Sequence, residues 1–179
     1  MADRLSTTER SKNMSAIKSR DTKPEIYFRK KLFALGFRYR KNTAHVVGHP
    51  DIFLAKYNTA IFVNGCFWHR HKGCKYAYTP KSRVEFWEKK FASNVLRDQT
   101  VRQELMQKKV KCLIVWECTI KQMMKSDEFE TDILSRAKDF LLSDMEYLEL
   151  EHSKIILEKK ATNSNEWSPF KATNLFIII

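Results

Sequence analysis

One stretch of the chain, residues 64–82, constrains the fold most, because it shows neither the alternation of a strand nor the spacing of a helix. It holds Cys66, His71 and Cys74 within nine residues, and a distant cysteine, Cys118, follows a late apolar run. Thiolates and imidazole are the ligands that Zn²⁺ prefers, and four of them complete a tetrahedral structural site. Such a site would pin the loop to the sheet. Because the spacing Cys-x4-His-x2-Cys is not that of a standard zinc finger, ordinary thiols and a surface histidine remain the alternative.

Helical and strand-like runs flank this loop. A helix is expected to begin after Thr22, its N-cap, with Pro24 in the first turn and Glu25 closing a capping box, and to end at Gly36. Further helices are expected at residues 83–109 and 119–142, the second broken near Ser126-Asp127, and strands at residues 37–40, 51–55, 59–63 and 110–116. Cys112, inside the last of these runs, is expected in the core. The order predicts an α/β sandwich around a mixed sheet.

The charge of the chain points to a polyanionic partner. There are 33 Lys and Arg against 21 Asp and Glu, and the first 43 residues alone carry 12 against 4. Such a surface suits phosphate backbones. No apolar run is as long as the roughly 18 residues of a membrane span, and the polar N-terminus lacks a secretory apolar region. We therefore expect a cytoplasmic protein without membrane contact, whose four cysteines are thiols or metal ligands.

A second group of residues suggests metal-assisted chemistry on phosphate. Pro50-Asp51 opens a strand whose hairpin partner ends at Val63, an arrangement in which an Asp of a nuclease holds Mg²⁺. The second strand lacks the Glu-x-Lys of such sites, and an Asp at a strand start is commonly a turn residue. His69 could act as a general base on water or be a surface histidine.

Six short motifs then occur in order over residues 10 to about 143. They are Ser11-Lys12-Asn13-Met14, Arg20-Asp21-Thr22, Gly48-x-Pro50-Asp51, Gly65-Cys66-Phe67-Trp68-His69, Glu85-Phe86-Trp87 and Val115-Trp116-Glu117-Cys118. Together they resemble the very short patch repair (Vsr-type) DNA mismatch endonucleases. The resemblance implies a PD-(D/E)xK-like nuclease fold, a central mixed sheet flanked by helices, with structural Zn²⁺ and catalytic Mg²⁺.

The resemblance also implies an activity. Enzymes of this type nick the T-bearing strand 5′ of a T:G mismatch that deamination of 5-methylcytosine leaves in double-stranded DNA. This ties them functionally to a cytosine-5 DNA methyltransferase, and we expect the chain to act as a monomer. We expect three parts: a basic DNA-contacting arm at residues 1–20, a nuclease domain at 21–143, and a C-terminal extension of unknown role at 144–179, which lies beyond the resemblance. The apolar end of that extension could add a strand to the sheet edge or pack on the body.

Site residues follow by motif match. The resemblance implies a catalytic Asp51, His69 as general base and Glu25 as a helix-borne active-site carboxylate; the alternative for Glu25 is the capping box with Thr22, and the two roles are compatible. Mg²⁺ would be held by Asp51 and the main-chain oxygen of Val63, and Zn²⁺ by Cys66, His71, Cys74 and Cys118. The implied DNA contacts are Met14, Phe67, Trp68, Trp87, Lys90 and Asn94, of which the aromatics wedge beside the mismatch. The rival interpretations are core packing for Trp87 and a solvated helix face for Lys90.

The chain departs from the family pattern at three points. Val63 stands where relatives have Thr, Asn64 stands where they have His, and the zinc loop is one residue longer, at Gly73. Two other functions stay open: a non-catalytic zinc-stabilised DNA-binding module, for which the missing Glu-x-Lys would be natural, and a restriction-type double-strand endonuclease. Asp51 with His69 argues against the first, since a binding module needs neither.

Overall fold

A computed structural model describes residues 6, 8–9, 12, 15–16, 18 and 20–151. Within these residues, the helices are α1 Lys23–Ala34, α2 Val84–Gln107, α3 Glu117–Met123 and α4 Asp127–Leu142. The strands are β1 Arg40–Lys41, β2 Ile52–Leu54, β3 Thr59–Asn64, β4 Lys111–Trp116 and β5 Tyr147–Leu150. They form one sheet in the order β1-β2-β3-β4-β5, antiparallel from β1 to β3 and parallel from β3 to β5. The predicted α/β class with a mixed sheet is confirmed.

Helices cover both faces of the sheet. Successive side chains along β3, and likewise along β4, point to opposite faces and so enter two separate core layers. Ile61 and Leu113 are fully buried on the face covered by α1, α3 and α4, which holds the larger core. Ala60 and Cys112 face the other side, where Leu105 of α2 packs on them. Cys112 is buried, as expected. Each fully buried Leu or Ile contributes about 1.5–3 kcal/mol, so these two layers fix the positions of the helices that carry the site.

The start of α1 is the capping arrangement that the sequence predicts. The Thr22 hydroxyl accepts the Glu25 N–H at 3.4 Å and donates to the Glu25 carboxylate at 2.7 Å. Glu25 Oε2 also accepts the N–H of Asp21 at 2.9 Å, so both carboxylate oxygens are engaged at the helix start. These hydrogen bonds therefore hold the first turn of α1, and the Glu25 carboxylate on it, in one conformation.

The end of α1 corrects one prediction. Gly36 adopts φ +89°, and the N–H of Phe37 reaches back to the carbonyl of Leu32 at 3.0 Å. This is a Schellman motif, in which the residues just after the helix bond to its last turn and are unavailable to a sheet. The strand expected from Phe37 to Arg40 is therefore wrong for most of its length, and β1 begins only at its last residue.

Two helices follow β4 where the sequence suggested one broken helix. Ser126 separates them, and its hydroxyl accepts the N–H of Phe129 at 3.3 Å, as an N-cap does. The predicted break is confirmed, although the first of the two helices begins at Glu117, two residues earlier than expected. Cys118 consequently lies in the first turn of α3.

The strand β5 falls in the part that the sequence assigned to a C-terminal extension. It pairs in parallel with β4, with Val115 opposite Leu150, and its last side chain is fully buried. The sheet thus continues four residues into that part, Tyr147–Leu150, while residues 152–179, including the apolar end, lie outside the described residues. Among the helices that the structure describes, none combines the length and apolar character needed to cross a membrane.

Candidate active site and metal centre

Asp51 lies directly before β2, where the hairpin with β3 begins. The two strands turn through a short 3-10 segment and Asn58, which adopts φ +44°. This turn places the Asp51 carboxylate against β3, where its Oδ2 accepts the N–H of Val63 at 2.8 Å. Desolvation, and to a smaller extent the nearby carboxylate of Glu25, raise the pKa of Asp51 to about 6 against the opposing effects of the Val63 N–H, Arg29 and His69. Its ionised form thus lacks full compensation by the protein.

The GxPD motif has a physical reason at its first residue. Gly48 adopts φ +76°, and a Cβ built on it would lie 2.3 Å from Val101 Cγ1 of α2. Only glycine combines this backbone conformation with so close an approach. The loop leading into Asp51 is therefore held directly against α2.

Glu25 and Arg29 form a buried pair of charged side chains on α1, beside Asp51. Glu25 is 4% exposed and Arg29 5% exposed. Arg29 donates through Nη2 to Asp21 at 2.5 Å, and its other terminal nitrogen, Nη1, has no hydrogen-bond partner among the described residues. Glu25 was predicted, and the structure shows it in its capping role while leaving the catalytic role a prediction. Arg29 was missed, because a lysine- and arginine-rich helix gives no sign of which cation turns inward.

His69 is oriented by a carboxylate that the sequence did not identify. Its Nδ1 lies 2.5 Å from Asp98 Oδ2, and its backbone N–H bonds the carbonyl of Gly65 at 3.1 Å. With the Nδ1 proton directed at Asp98, the other ring nitrogen, Nε2, is the one that can accept a proton. The available signal was weak: Asn94 and Asp98 are polar residues one turn apart on α2, and both are partly buried.

Asn64 shares a cleft with this histidine. The cleft has a volume of about 760 Å³ between α2 and the sheet, and Asn64, His69 and Asp98 all line it. Asp51 is not among its lining residues. Asn64, one of the three positions expected to depart from the family pattern, thus lies on the histidine side of the candidate site.

The four predicted zinc ligands come together. The ligand atoms of Cys66, His71, Cys74 and Cys118 all lie within 4.8 Å of one another. His71 Nδ1 is 3.3 Å from the sulfur of Cys118 and 3.6 Å from that of Cys66. Gly73, the extra residue of the loop, adopts φ +73° and turns the chain so that Cys74 N–H bonds the His71 carbonyl at 3.2 Å.

The chemistry of this donor set suits Zn²⁺. Contact with Cys118 and burial raise the pKa of the Cys66 thiol to about 12, and the same contact lowers the pKa of Cys118. A cation among the four donors replaces such protons, because the thiolate is the metal-binding form. Three cysteine sulfurs and an imidazole, with no carboxylate among them, are donor types that structural zinc sites use.

The predicted wedge aromatics also form one cluster, where the zinc loop meets α2. Phe67 lies at its centre, with ring centroids 5.0 Å from Trp68, 5.3 Å from Trp87 and 5.1 Å from Phe91. Phe91 is buried, whereas Phe67, Trp68 and Trp87 are partly exposed. Tyr78, which is 64% exposed, packs on Phe67 at 5.2 Å. Large rings that reach the surface together can stack on another flat molecule.

The other predicted DNA contacts are placed differently. Asn94 donates to the carbonyl of Trp68 at 3.0 Å, so it anchors the loop that presents the aromatics. Lys90 is exposed on α2. Met14 lies outside the described residues.

Comparison with known proteins adds independent information. The family model described as DNA mismatch endonuclease Vsr matches residues 2–75. The type II nicking enzyme V.NmeAIP of Neisseria meningitidis is 42% identical over 139 residues, 78% of this chain and 99% of that protein. The DNA mismatch endonuclease Vsr of Escherichia coli K12 is 39% identical over 135 residues, 75% of this chain and 86% of that protein. A type II nicking enzyme of Xanthomonas oryzae is 36% identical over 69% of this chain and 90% of its own length.

Proposed function

Since the chain belongs to the Vsr family of DNA mismatch endonucleases, we propose that it nicks one strand of double-stranded DNA at a T:G mismatch. The cut falls in the T-bearing strand, 5′ of the mispaired T, and depends on Mg²⁺. The observation that carries this proposal is that Glu25 and His69 are both close enough to affect the pKa of Asp51, while His69 is paired with Asp98. Relatives named as nicking enzymes support single-strand cleavage over double-strand cleavage.

Oxygen donors around Asp51 suit Mg²⁺. The carboxylate of Asp51, the nearby carboxylate of Glu25 and the main-chain oxygen of Val63 are the hard ligands that this ion prefers. The raised pKa of Asp51 marks a place where the protein leaves negative charge only partly compensated. Bound there, Mg²⁺ supplies charge stabilisation at the scissile phosphate. Val63 offers no hydroxyl, so any ligation from this position is through its main chain.

His69 performs the proton transfer in this proposal. Asp98 accepts the Nδ1 proton, which leaves Nε2 of the neutral ring as the nitrogen that takes a proton from the attacking water. The carboxylate also stabilises the imidazolium that results. Asp51 and Glu25 would position the scissile phosphate, whereas Asp98 on α2 orients His69, the general base.

Mismatch selection in this proposal rests on the aromatic cluster. A T:G wobble is less stable than a matched pair, so unstacking beside it costs less, and an inserted ring recovers stacking energy. Phe67, Trp68 and Trp87 are partly exposed and mutually packed, so they can enter the duplex as a rigid unit. Lys90 would contact DNA beside this wedge, Asn94 would fix the wedge in place, and Met14 would enter the duplex from the other groove.

The remaining proposals concern the surroundings of the reaction. Zn²⁺ bound by Cys66, His71, Cys74 and Cys118 has a structural role in this proposal and takes no part in the cleavage step. The T:G substrate arises from 5-methylcytosine, so a cytosine-5 DNA methyltransferase supplies the modified base and sets the sequence context. We propose that a single copy of the chain is sufficient, because all the groups named lie in one protomer.

The decisive experiment uses a duplex oligonucleotide with one T:G pair and a different label on each strand. With Mg²⁺, we expect cleavage of the T strand alone, 5′ of the T, and none in the matched duplex. Cleavage of both strands would favour a restriction-type enzyme, and tight binding without cleavage would favour a DNA-binding module. Asp51→Asn should bind the T:G duplex without cutting it, while Asp139→Asn, at an exposed site on α4, should behave as the unaltered protein.

A further inference from the structure

His71 is held in its cluster by one ring nitrogen and leaves the other turned away. Nδ1 lies 3.3 Å and 3.6 Å from two sulfurs, so Nδ1 is the nitrogen placed for metal binding. The side chain is 6% exposed. Within the part of the chain that the structure describes, Nε2 is buried without a hydrogen-bond partner. This nitrogen therefore needs an explanation.

The protonation of the ring follows from the role of Nδ1. A neutral imidazole carries one proton, and the nitrogen that binds a metal must be the unprotonated one. If Nδ1 is the ligand, Nε2 carries the proton and becomes an obligatory donor. A buried N–H without an acceptor is costly, and zinc-binding histidines almost always direct this N–H to a carboxylate, a carbonyl or water.

Glu151, the residue directly after β5, supplies a carboxylate at this position. Its Oε2 lies 3.9 Å from His71 Nε2, slightly beyond hydrogen-bond length and within reach of a small side-chain rotation. The Glu151 side chain is 18% exposed, so it is not a solvated surface group.

The end of β5 also contacts Trp116 of β4, whose indole ring packs on the imidazole of His71. Trp116 stacks on His71 with a centroid distance of 4.1 Å and an interplanar angle of 7°. The indole N–H of Trp116 donates to Glu149 Oε2 at 3.1 Å. Glu149 and Glu151 are two residues apart, so they share a side of the chain. The first orients the ring that packs on His71, and the second faces the His71 nitrogen itself.

We propose that Glu151 is a positioning residue of the zinc centre: it accepts the Nε2–H of His71 and so fixes the tautomer and orientation that present Nδ1 to the metal. The inference rests on the zinc part of the proposed function. It gives a role to a residue beyond the segment of about 10 to 143 that carries the family motifs. The segment after α4 then supports the metal centre, because β5 places Glu151 beside His71.

The test measures how firmly the full-length protein holds zinc. Zinc-loaded protein is mixed with a chromophoric chelator, and the rate and extent of zinc transfer are followed by absorbance. Glu151→Ala should lower zinc affinity by about 10–100-fold, the usual effect of losing such a partner. Glu151→Gln keeps an acceptor oxygen and should retain most of the affinity. Glu146→Ala removes an exposed carboxylate on the same segment and serves as the matched control.

A second readout separates this role from general destabilisation. Nitrogen-15 NMR of the histidine side chains in the zinc-loaded protein should show His71 with its proton on Nε2, and Glu151→Ala should shift that signal. If Glu151→Ala retains zinc as Glu146→Ala does, or if the proton lies on Nδ1, the inference is wrong while the zinc site stands. If the unaltered protein binds no zinc, the zinc proposal fails together with it.

Discussion

Asp51 carries a carboxylate whose ionisation opposes folding in the absence of a metal. Desolvation raises its pKa from 3.8 to about 6, so the folded protein binds this proton more tightly than the unfolded chain. The associated stability is complete below about pH 4 and is lost as the pH rises through 6. Asp51→Asn removes the charge and should raise the free energy of unfolding in Mg²⁺-free buffer at pH 8 by about 1–3 kcal/mol.

Urea denaturation at pH 8 and at pH 4 checks this expectation. The gain should be present at the higher pH and nearly absent at the lower, because the wild-type carboxyl is then protonated. Asp139→Asn, at an exposed site, should show no such difference. A gain of equal size at both pH values would mean that the side-chain shape, and not the charge, is responsible.

The His69–Asp98 pair gives a graded kinetic prediction. His69→Ala should slow nicking by roughly 10²–10⁴-fold, the usual contribution of a general base. Asp98→Ala should have a smaller effect, since the ring remains but loses the acceptor that fixes its Nδ1 proton. Single-turnover cleavage of the T:G duplex measures both, with His45→Ala, an exposed histidine, as the control. An unchanged rate in His69→Ala would return His69 to a structural role.

Single residues were predictable from the sequence only where a motif marks them. Asp51 and His69 stand in short patterns, and the four cluster residues have chemically distinctive side chains. Arg29 and Asp98 stand on charge-rich helices, where most of the other charged residues are exposed. Which of them turns inward depends on how the helix packs on the sheet, and that is decided by contacts distant in the chain.

At the level of the helix, the N-cap of α1 supports the site as well as the fold. Thr22→Ala removes the hydroxyl that bonds both the N–H and the carboxylate of Glu25, and should destabilise the protein by about 0.5–2 kcal/mol. Urea denaturation measures the loss. Thr100→Ala, at an exposed position inside α2, should be nearly neutral. Equal effects of the two substitutions would show that the cap contributes nothing specific.

The aromatic cluster makes a prediction about discrimination. Trp68→Ala should weaken binding to T:G duplexes by about 1–3 kcal/mol, the value of stacking one base, and weaken binding to matched DNA much less. Tyr76 lies on the same loop outside the cluster, so Tyr76→Ala should leave the ratio of the affinities for T:G and matched duplexes unchanged. Equilibrium binding to both duplexes measures the difference. Equal losses for the two duplexes after Trp68→Ala would make Trp68 a packing residue of the loop.

Elements were predictable where local signals act alone. The cap at Thr22, the hairpin turn and the break at Ser126 all depend on neighbouring residues. The strand expected at Phe37 failed because the Schellman motif bonds that residue back to α1. The short strand β5 was not predicted, because four residues, two of them of types common at the surface, show too little alternation to be recognised as a strand. Its pairing with β4 is what orders these residues.

For the whole molecule, the cluster of Cys66, His71, Cys74 and Cys118 brings distant parts of the chain together. Zinc bound there, as proposed, would connect the loop after β3 to the first turn of α3 and, through Glu151, to the end of β5. Removing zinc with a chelator should therefore lower the melting temperature, and restored zinc should reverse the change, because metal-binding energy is folding energy in such sites.

Calorimetry with measured metal content checks this expectation. Cys118→Ala should lose both zinc and the chelator-sensitive part of the stability. Cys112→Ala should be destabilised by its core cavity yet keep its zinc, since Cys112 packs in the second core layer. A melting temperature indifferent to zinc would show that the four side chains meet without holding the fold together.

The contact between Gly48 and Val101 has a consequence for the spacing of the candidate site. A methyl group at position 48 would meet two obstacles at once, a left-handed backbone and a neighbouring atom 2.3 Å away. A smaller residue at 101 would clear the space but leave the backbone strained. The lack of a side chain at position 48 thus sets how closely the hairpin that carries Asp51 approaches the helix that carries Asp98, and a larger residue there would widen that gap.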